Sequence, residues 1–135
     1  MIEFIIPGPP KGKQRPRVCR NGITYTPKET TTYENFVKEI YMINKLPMIE
    51  GPIKAEVAVQ YEVPKSTSKK QKALMLLGHI RPTKKPDIDN ILKIIFDSLN
   101  GIAYKDDNQI VQVSCYKAYA ERPKVIVRFY KLEED

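Results

Sequence analysis

The chain has 135 residues, of which 41% are hydrophobic and 29% are charged, and its formal net charge is +7. These proportions are typical of a globular domain with one buried core, and no apolar run approaches the roughly 20 residues of a membrane-spanning helix. We therefore expect a single domain over residues 1–135 and no membrane association. Because the N-terminus lacks the features of a signal peptide, we also expect a cytoplasmic location.

The positive charge is concentrated in two stretches, residues 4–28 and 63–86, that contain no acidic residue. Clustered Lys and Arg favour a polyanionic partner, because they neutralise phosphates and release condensed counterions. Composition alone is equally compatible with a basic surface that binds nothing. The cations that we expect to contact such a polyanion are Lys11, Lys13, Arg15, Arg17, Lys69, Lys70, Lys84 and Lys85.

The first third of the chain predicts a strand, a hairpin and a helix. Residues 2–6 form an apolar run that a proline-rich segment stops. Asn21-Gly22 predicts a hairpin with a type I′ turn. Thr26 and Glu29 have the spacing of a capping box, which predicts a helix that starts after Thr26 and ends at about Asn44.

The middle of the chain predicts one more strand and two more helices. Alternating apolar residues over 53–63 are typical of a strand with one buried face. Ser68 predicts the cap of a helix over residues 69–77. A strongly apolar helix follows from about Asp89 to Asn100, where Asn-Gly is a common stop signal.

Two further strands, over residues 109–120 and 124–131, are separated by a short turn that favours hairpin pairing, and residues 133–135 are expected to fray. We therefore predict an α+β fold with about three helices and a mixed or mostly antiparallel sheet of four or five strands. The two cysteines, Cys19 and Cys115, have no CxxC spacing, and we expect them to be buried free thiols.

Acidic residues gather at both ends of the apolar helix. Asp87 and Asp89 stand one residue apart at its start, and Asp106 and Asp107 follow shortly after its end. For Asp89 alone, the ordinary interpretation is a helix N-cap beside free backbone amides. Two acidic pairs close to one helix are unusual in so basic a protein, and their combination indicates a functional site rather than two helix caps.

Two or three carboxylates are hard oxygen ligands of the kind that Mg²⁺ or Mn²⁺ prefers. Such a site can bind a phosphate oxygen and activate water for cleavage of a phosphodiester bond. Lys93, one helical turn after Asp89, would offset charge on the reacting phosphate or orient the water. His79 is the only histidine, and we interpret it as a surface residue rather than a ligand.

The chain resembles the RusA-like Holliday junction resolvases, which are small endodeoxyribonucleases of bacteria and their prophages. The resemblance covers most of the chain, and it rests on the order and spacing of several motifs rather than on any one of them. The motifs are PGPPKGKQRPR at residues 7–17, the helix start at residues 25–34, KPDIDN at residues 85–90 with Lys93 and Phe96-Asp97, and DDNQIV at residues 106–111.

The resemblance implies a Mg²⁺-dependent homodimer that binds four-way DNA junctions and nicks two opposed strands symmetrically, in DNA recombination and repair. Asp87, Asp89 and the Asp106-Asp107 pair correspond to the metal-binding acids, and Lys93 corresponds to the catalytic lysine. The turn after the helix is slightly shorter here than in the best-known member, so either Asp106 or Asp107 can be the ligand; we favour Asp107. The basic loop at residues 11–17 would face DNA.

Two alternatives remain open at this point. One is a related metal-dependent nuclease that acts on flaps or other branched DNA. The other is a nucleic-acid-binding module without catalysis, in which the acidic residues only cap helices and turns.

Overall fold

The structure is a computed structural model and describes residues 1–133, so part of the predicted frayed tail, Glu134 and Asp135, lies outside the described residues. The described residues form three α-helices and six strands, two of which are very short. In chain order the elements are β1 (Ile2–Pro7), β2 (Arg17–Val18), β3 (Thr24–Tyr25), α1 (Lys28–Ile43), β4 (Ile53–Glu62), α2 (Lys69–Leu76), α3 (Ile88–Ser98), β5 (Ile110–Ala120) and β6 (Lys124–Lys131).

Four strands form one mixed sheet in the order β1-β6-β4-β5, and β2 pairs with β3 in a separate ribbon. β4 is parallel to β5 and antiparallel to β6, and β1 is antiparallel to β6. This arrangement confirms the predicted α+β fold with a mixed sheet and three helices. No helix in residues 1–133 has the length and apolar character that crossing a bilayer requires.

The predicted hairpin between the last two strands is wrong, because β4 lies between β5 and β6. β4 is the strand whose inward side chains are most completely buried: Ile53, Ala55 and Val59 have no exposed surface. β5 is largely exposed and occupies the edge. The strand with the most completely buried side chains therefore lies inside the sheet, where both of its edges are paired.

The core lies between the sheet and the two longer helices, α1 and α3. Phe129 on β6 stands at its centre, with its ring 5.8 Å from that of Phe4, 6.4 Å from that of Phe96 and 5.9 Å from that of Tyr104. These contacts join the sheet to α3 and to the segment that follows it. The core thus fixes the position of the C-terminal end of α3.

Three local predictions about turns and caps are corrected. The hairpin at Gly22 has a three-residue loop instead of a type I′ turn, since Gly22 has φ +83° and Asn21 is not in the left-handed region. Helix α1 has Pro27 as its N-cap without a side-chain cap, because it begins one residue too late for Thr26. Helix α3 has Asp87, not Asp89, as its N-cap.

Two other predictions concern side chains. Ser68 caps α2 as predicted, with its Oγ accepting a hydrogen bond from the Gln71 amide at 3.3 Å. Both cysteines are free, also as predicted, but Cys19 is exposed rather than buried because it lies in the β2–β3 ribbon, outside the core. Burial raises the pKa of the half-buried Cys115 thiol to about 11.

Candidate active site

The start of α3 presents three exposed charged side chains, those of Asp87, Asp89 and Lys93. Asp87 has extended backbone angles and makes no side-chain cap, so its carboxylate is not used to satisfy the helix. Asp89 lies in the first turn, near the positive end of the helix dipole. Within residues 1–133 none of the three side chains makes a hydrogen bond or an ion pair, so all three are available to a ligand.

The backbone just before Asp87 is held from the sheet. The Tyr61 hydroxyl donates a hydrogen bond to the carbonyl oxygen of Pro86 at 3.1 Å. The Lys117 ammonium donates to the same oxygen at 3.2 Å and to the carbonyl of Lys84 at 2.6 Å. Burial, with the nearby charge of Asp87, raises the pKa of Tyr61 to about 12, so this hydroxyl keeps its proton. Sequence reasoning missed Lys117, because a lysine in a strand gives no signal of this contact.

The second acidic pair opens a 3₁₀ turn, Asp107–Gln109, directly before β5. The Asp106 carboxylate accepts a hydrogen bond from the Asn108 amide at 3.2 Å. The Asp107 amide donates to Asn100 Oδ1 at 2.8 Å, which ties the turn to the end of α3. The side-chain amide of Gln109 donates to two backbone carbonyls near the start of β4, both at 3.0 Å. This pair is therefore as firmly anchored as Asp87.

Asp97, from the last turns of α3, joins this second pair. The pKa of Asp107 is raised to about 6 by partial burial and by hydrogen bonding and charge repulsion from Asp106 and Asp97. The sequence analysis named Asp97 only as part of a family motif and did not assign it to the site. Asp97 lies beside Asp107 because the chain turns back after α3, and no pattern in the sequence indicates this contact.

Lys13 is the one predicted DNA contact whose ammonium forms ion pairs within the described part of the protein. Its ammonium lies 3.0 Å from Glu34 Oε2 and 3.5 Å from Asp97 Oδ2, and its backbone amide donates to the carbonyl of Asn90 at 2.9 Å. Burial lowers the pKa of Lys13, but the two carboxylates outweigh this effect and the net pKa is raised. Its charge is thus balanced within the protein, where the loop lies between α1 and α3, and a contact between Lys13 and DNA stays a prediction.

The remaining predicted DNA contacts are exposed, and their binding to DNA stays a prediction. The ammonium of Lys84 lies over two tyrosine rings, 5.4 Å from the centroid of Tyr61 and 6.0 Å from that of Tyr119. These exposed cations are Lys11, Arg15, Arg17, Lys69, Lys70, Lys84 and Lys85. His79 is also exposed, in keeping with its interpretation as a surface residue.

The two acidic groups lie at opposite ends of α3. At about 1.5 Å per residue this 11-residue helix is about 16 Å long, with Asp87 at its start and Asp107 beside Asp97 of its last turns. Within residues 1–133 no three His, Cys, Asp or Glu side chains are arranged to hold one metal ion. The residue types suit Mg²⁺, but the four predicted ligands do not form a single site within one chain. Their assignment as ligands stays a prediction.

Comparison with known proteins decides the family. Residues 7–130 match the family model described as Endodeoxyribonuclease RusA. A curated relative, the uncharacterized protein YqaN of Bacillus subtilis (strain 168), is 37% identical over 132 residues, and the match covers 93% of each chain. The chain belongs to the RusA endodeoxyribonuclease family.

Membership of the RusA family confirms the resemblance seen in the sequence. It supports an endonuclease, and therefore a hydrolase, of a family that acts on branched DNA and depends on a divalent metal. For this RusA-family chain, the exposed carboxylates around α3 and the cations around them are the residues whose chemistry fits that activity.

Proposed function

We propose that this protein is a Mg²⁺-dependent endonuclease that resolves four-way DNA junctions by hydrolysing phosphodiester bonds symmetrically on opposed strands. The observation that carries the proposal is the match to the RusA family over residues 7–130. The catalytic residues in this proposal are Asp87, Asp89, Lys93 and Asp107, with Asp106 as a further metal-binding acid. The active form is a homodimer, because two-fold symmetry matches two symmetric cuts.

A bound Mg²⁺ or Mn²⁺ ion supplies charge neutralisation at the phosphate and an acidified water. The protein contributes carboxylates that are held in place. Asp87 projects from backbone that Tyr61 and Lys117 fix, and the 3₁₀ turn fixes Asp107. Lys93 is exposed one turn from Asp89, where its ammonium can stabilise negative charge that develops on the phosphate.

Cleavage of synthetic DNA by the wild-type protein and by Asp89→Asn tests this proposal. With Mg²⁺ present, the wild-type protein should cut a four-way junction in preference to three-way, flap and linear duplexes. Asp89→Asn should bind the junction at least as tightly, since it removes negative charge near the phosphates. It should cut at least about 100-fold more slowly, because even outer-shell changes at metal sites cost 10–100-fold.

The matched control is Glu39→Gln, which neutralises an exposed acidic side chain on α1 and should cut like the wild-type protein. Equal cutting by Asp89→Asn and the wild-type protein would contradict the role of Asp89. Preferred cutting of flaps would favour the alternative nuclease, and binding without any cutting would favour a binding module.

A further inference from the structure

Helix α2 contributes no buried side chain to the core. It has eight residues, and none of them is buried. Isolated helices shorter than about 12–15 residues are marginal in water, so an apolar face packed on the core normally supports a helix of this length. Here Ser68 caps the first turn, and the chain leaves the helix through Gly78, which has φ +85°. The apolar side chains at the end of α2 are therefore left free for another contact.

Two adjacent leucines at this end are exposed. Leu76 is 41% exposed, and Leu77, the C-cap of α2, is 72% exposed. One exposed leucine is ordinary, but these two form an apolar tip on a segment that is otherwise basic. Residues 63–86 contain no acidic residue, and Lys69 and Lys70 at the start of the same helix are exposed. A partner that covers the tip must therefore combine apolar surface with negative charge. Nucleic acid and anionic lipid both do so, and the match to the RusA family favours nucleic acid.

The segment after α2 is attached to the same strand as the backbone before Asp87. Arg81 Nη1 donates a hydrogen bond to the carbonyl oxygen of Lys117 on β5 at 3.0 Å. The Lys117 ammonium in turn donates to the carbonyl oxygens of Lys84 and Pro86, at 2.6 Å and 3.2 Å. Helix α2 itself also packs beside β5. The leucine tip and the first acidic pair are thus held by one element of the sheet.

We propose that Leu76 and Leu77 form a wedge that enters the branch point of a DNA junction and packs against bases that have lost a stacking neighbour. The exposed lysines of α2 then contact phosphates of an adjacent arm. Leucine is among the apolar side chains that DNA-bending proteins insert between base steps, at the cost of unstacking them. That cost is lower where the stack is already interrupted, so a wedge favours a branch point over a continuous duplex. This inference rests on the proposed function, because it takes branched DNA as the partner of the tip.

The fluorescence of 2-aminopurine tests the wedge, because this base analogue fluoresces more strongly when it loses its stacking neighbours. Wild-type protein in EDTA, where no metal-dependent cut occurs, is titrated into a four-way junction that carries the analogue beside the branch point. The fluorescence should rise on binding, whereas the same analogue in the middle of an arm should show no change. Leu77→Gln should abolish most of the rise and weaken junction binding about 10-fold, which is the scale expected for the loss of a buried leucine side chain.

The matched control is Ile43→Gln, which removes an equally exposed apolar side chain, 75% exposed, from the end of α1. It should keep both the rise and the affinity. Leu77→Phe keeps an apolar side chain at the tip and should keep the rise as well. All three variants should bind linear duplex with the wild-type salt dependence, because these side chains neutralise no phosphate. A full rise with Leu77→Gln, or an equal loss with Ile43→Gln, would overturn the wedge.

Cleavage by the wild-type protein in Mg²⁺ separates failure of this inference from failure of the proposed function. If the wild-type protein cuts junctions and Leu77→Gln still gives the full rise, only the wedge is wrong. If the wild-type protein cuts no junction but the rise depends on Leu77, only the proposed function is wrong. Two other partners of the tip would also overturn the wedge. They are a second copy of the chain, seen as a lower oligomeric state of Leu77→Gln in light scattering, and anionic lipid vesicles, if they bind the wild-type protein more tightly than the junction does.

Discussion

Lys13 and Asp97 form an ion pair across the candidate site, with Nζ 3.5 Å from Oδ2, and the same ammonium lies 3.0 Å from Glu34. All three side chains are at least two-thirds shielded from solvent, and the pair connects the basic loop to α1 and α3. The only cation within 4 Å of Asp97 in residues 1–133 therefore comes from a loop that the sequence assigned to DNA.

Lys13→Ala should lower the free energy of unfolding by about 1–2 kcal/mol, between the values for exposed and buried ion pairs, because it leaves two carboxylates without their cation. Urea denaturation measures this change. Lys11→Ala, an exposed lysine of the same loop, serves as the control and should change the free energy by less than about 0.5 kcal/mol. Equal stability of the two variants would show that the ion pair contributes nothing.

Arg15 and Arg17 are exposed, whereas Lys13 is neutralised by its carboxylates. If the two arginines contact phosphates, replacing both with Ala should reduce the slope of log K against log salt for junction binding by about 2, since each phosphate contact on duplex DNA contributes about 0.9. Lys13→Ala should leave the slope unchanged. Fluorescence anisotropy over a range of salt concentrations gives both values, and an unchanged slope in the double variant would exclude these arginines as phosphate contacts.

Gly12 packs against the segment that carries Asp87. A Cβ at this position would lie 2.8 Å from Pro86 Cβ, closer than real contacts allow, and 3.2 Å from Asn90 Cβ, which is a tight contact. Gly12→Ala should therefore displace Pro86, lower the free energy of unfolding by about 1–3 kcal/mol and slow junction cleavage.

Gly22→Ala is the matched control for Gly12→Ala. Gly22 has φ +83° with no atom within 4 Å of an added Cβ, so alanine there introduces backbone strain alone, at about 1 kcal/mol, in a turn away from α3. It should destabilise the protein without slowing cleavage. If the two variants cleave at the same rate, the packing of Gly12 on Pro86 is irrelevant to the site.

Asp107 has a pKa of about 6 in the folded protein, above its ordinary value of 3.8. A carboxyl whose folded pKa is raised binds more protons folded than unfolded between pH 4 and 6, so its contribution to stability falls as pH rises through that window. Asp107→Asn should therefore stabilise the metal-free protein at pH 7–8 and have little effect at pH 4. Solvent screening limits the gain to about 1 kcal/mol or less.

Thermal unfolding in EDTA at pH 4 and pH 8 measures this difference. Glu39→Gln controls for the loss of an acidic side chain, since Glu39 is exposed and makes no ion pair within residues 1–133. It should show the same small effect at both pH values. A stabilisation of Asp107→Asn that is equal at pH 4 and pH 8 would contradict the raised pKa.

The sequence predicted those features of secondary structure that depend on residues close together in the chain. The alternation over β4, the apolar face of α3 and the Ser68 cap each depend on neighbours within a few residues, and all three were predicted to within about two residues. The sequence also predicted the family, because the order and spacing of the motifs are properties of the sequence itself. The turn at Gly22 and the start of α1 were not, since each depends on which of two adjacent residues enters the regular element.

The sequence by itself therefore determined the fold class, the family and the set of acidic and basic residues available for chemistry. Only the tertiary structure decided how those residues are grouped. Spacing along the chain placed Asp87 and Asp107 at the two ends of a helix, and the fold then brought Asp87 near Tyr61 and Asp107 beside Asp97. In the same way, packing between α1 and α3 places Lys13 beside Asp97, a contact that the sequence did not predict. Distances between segments that are remote in sequence follow from the packing of the core, which no local pattern records.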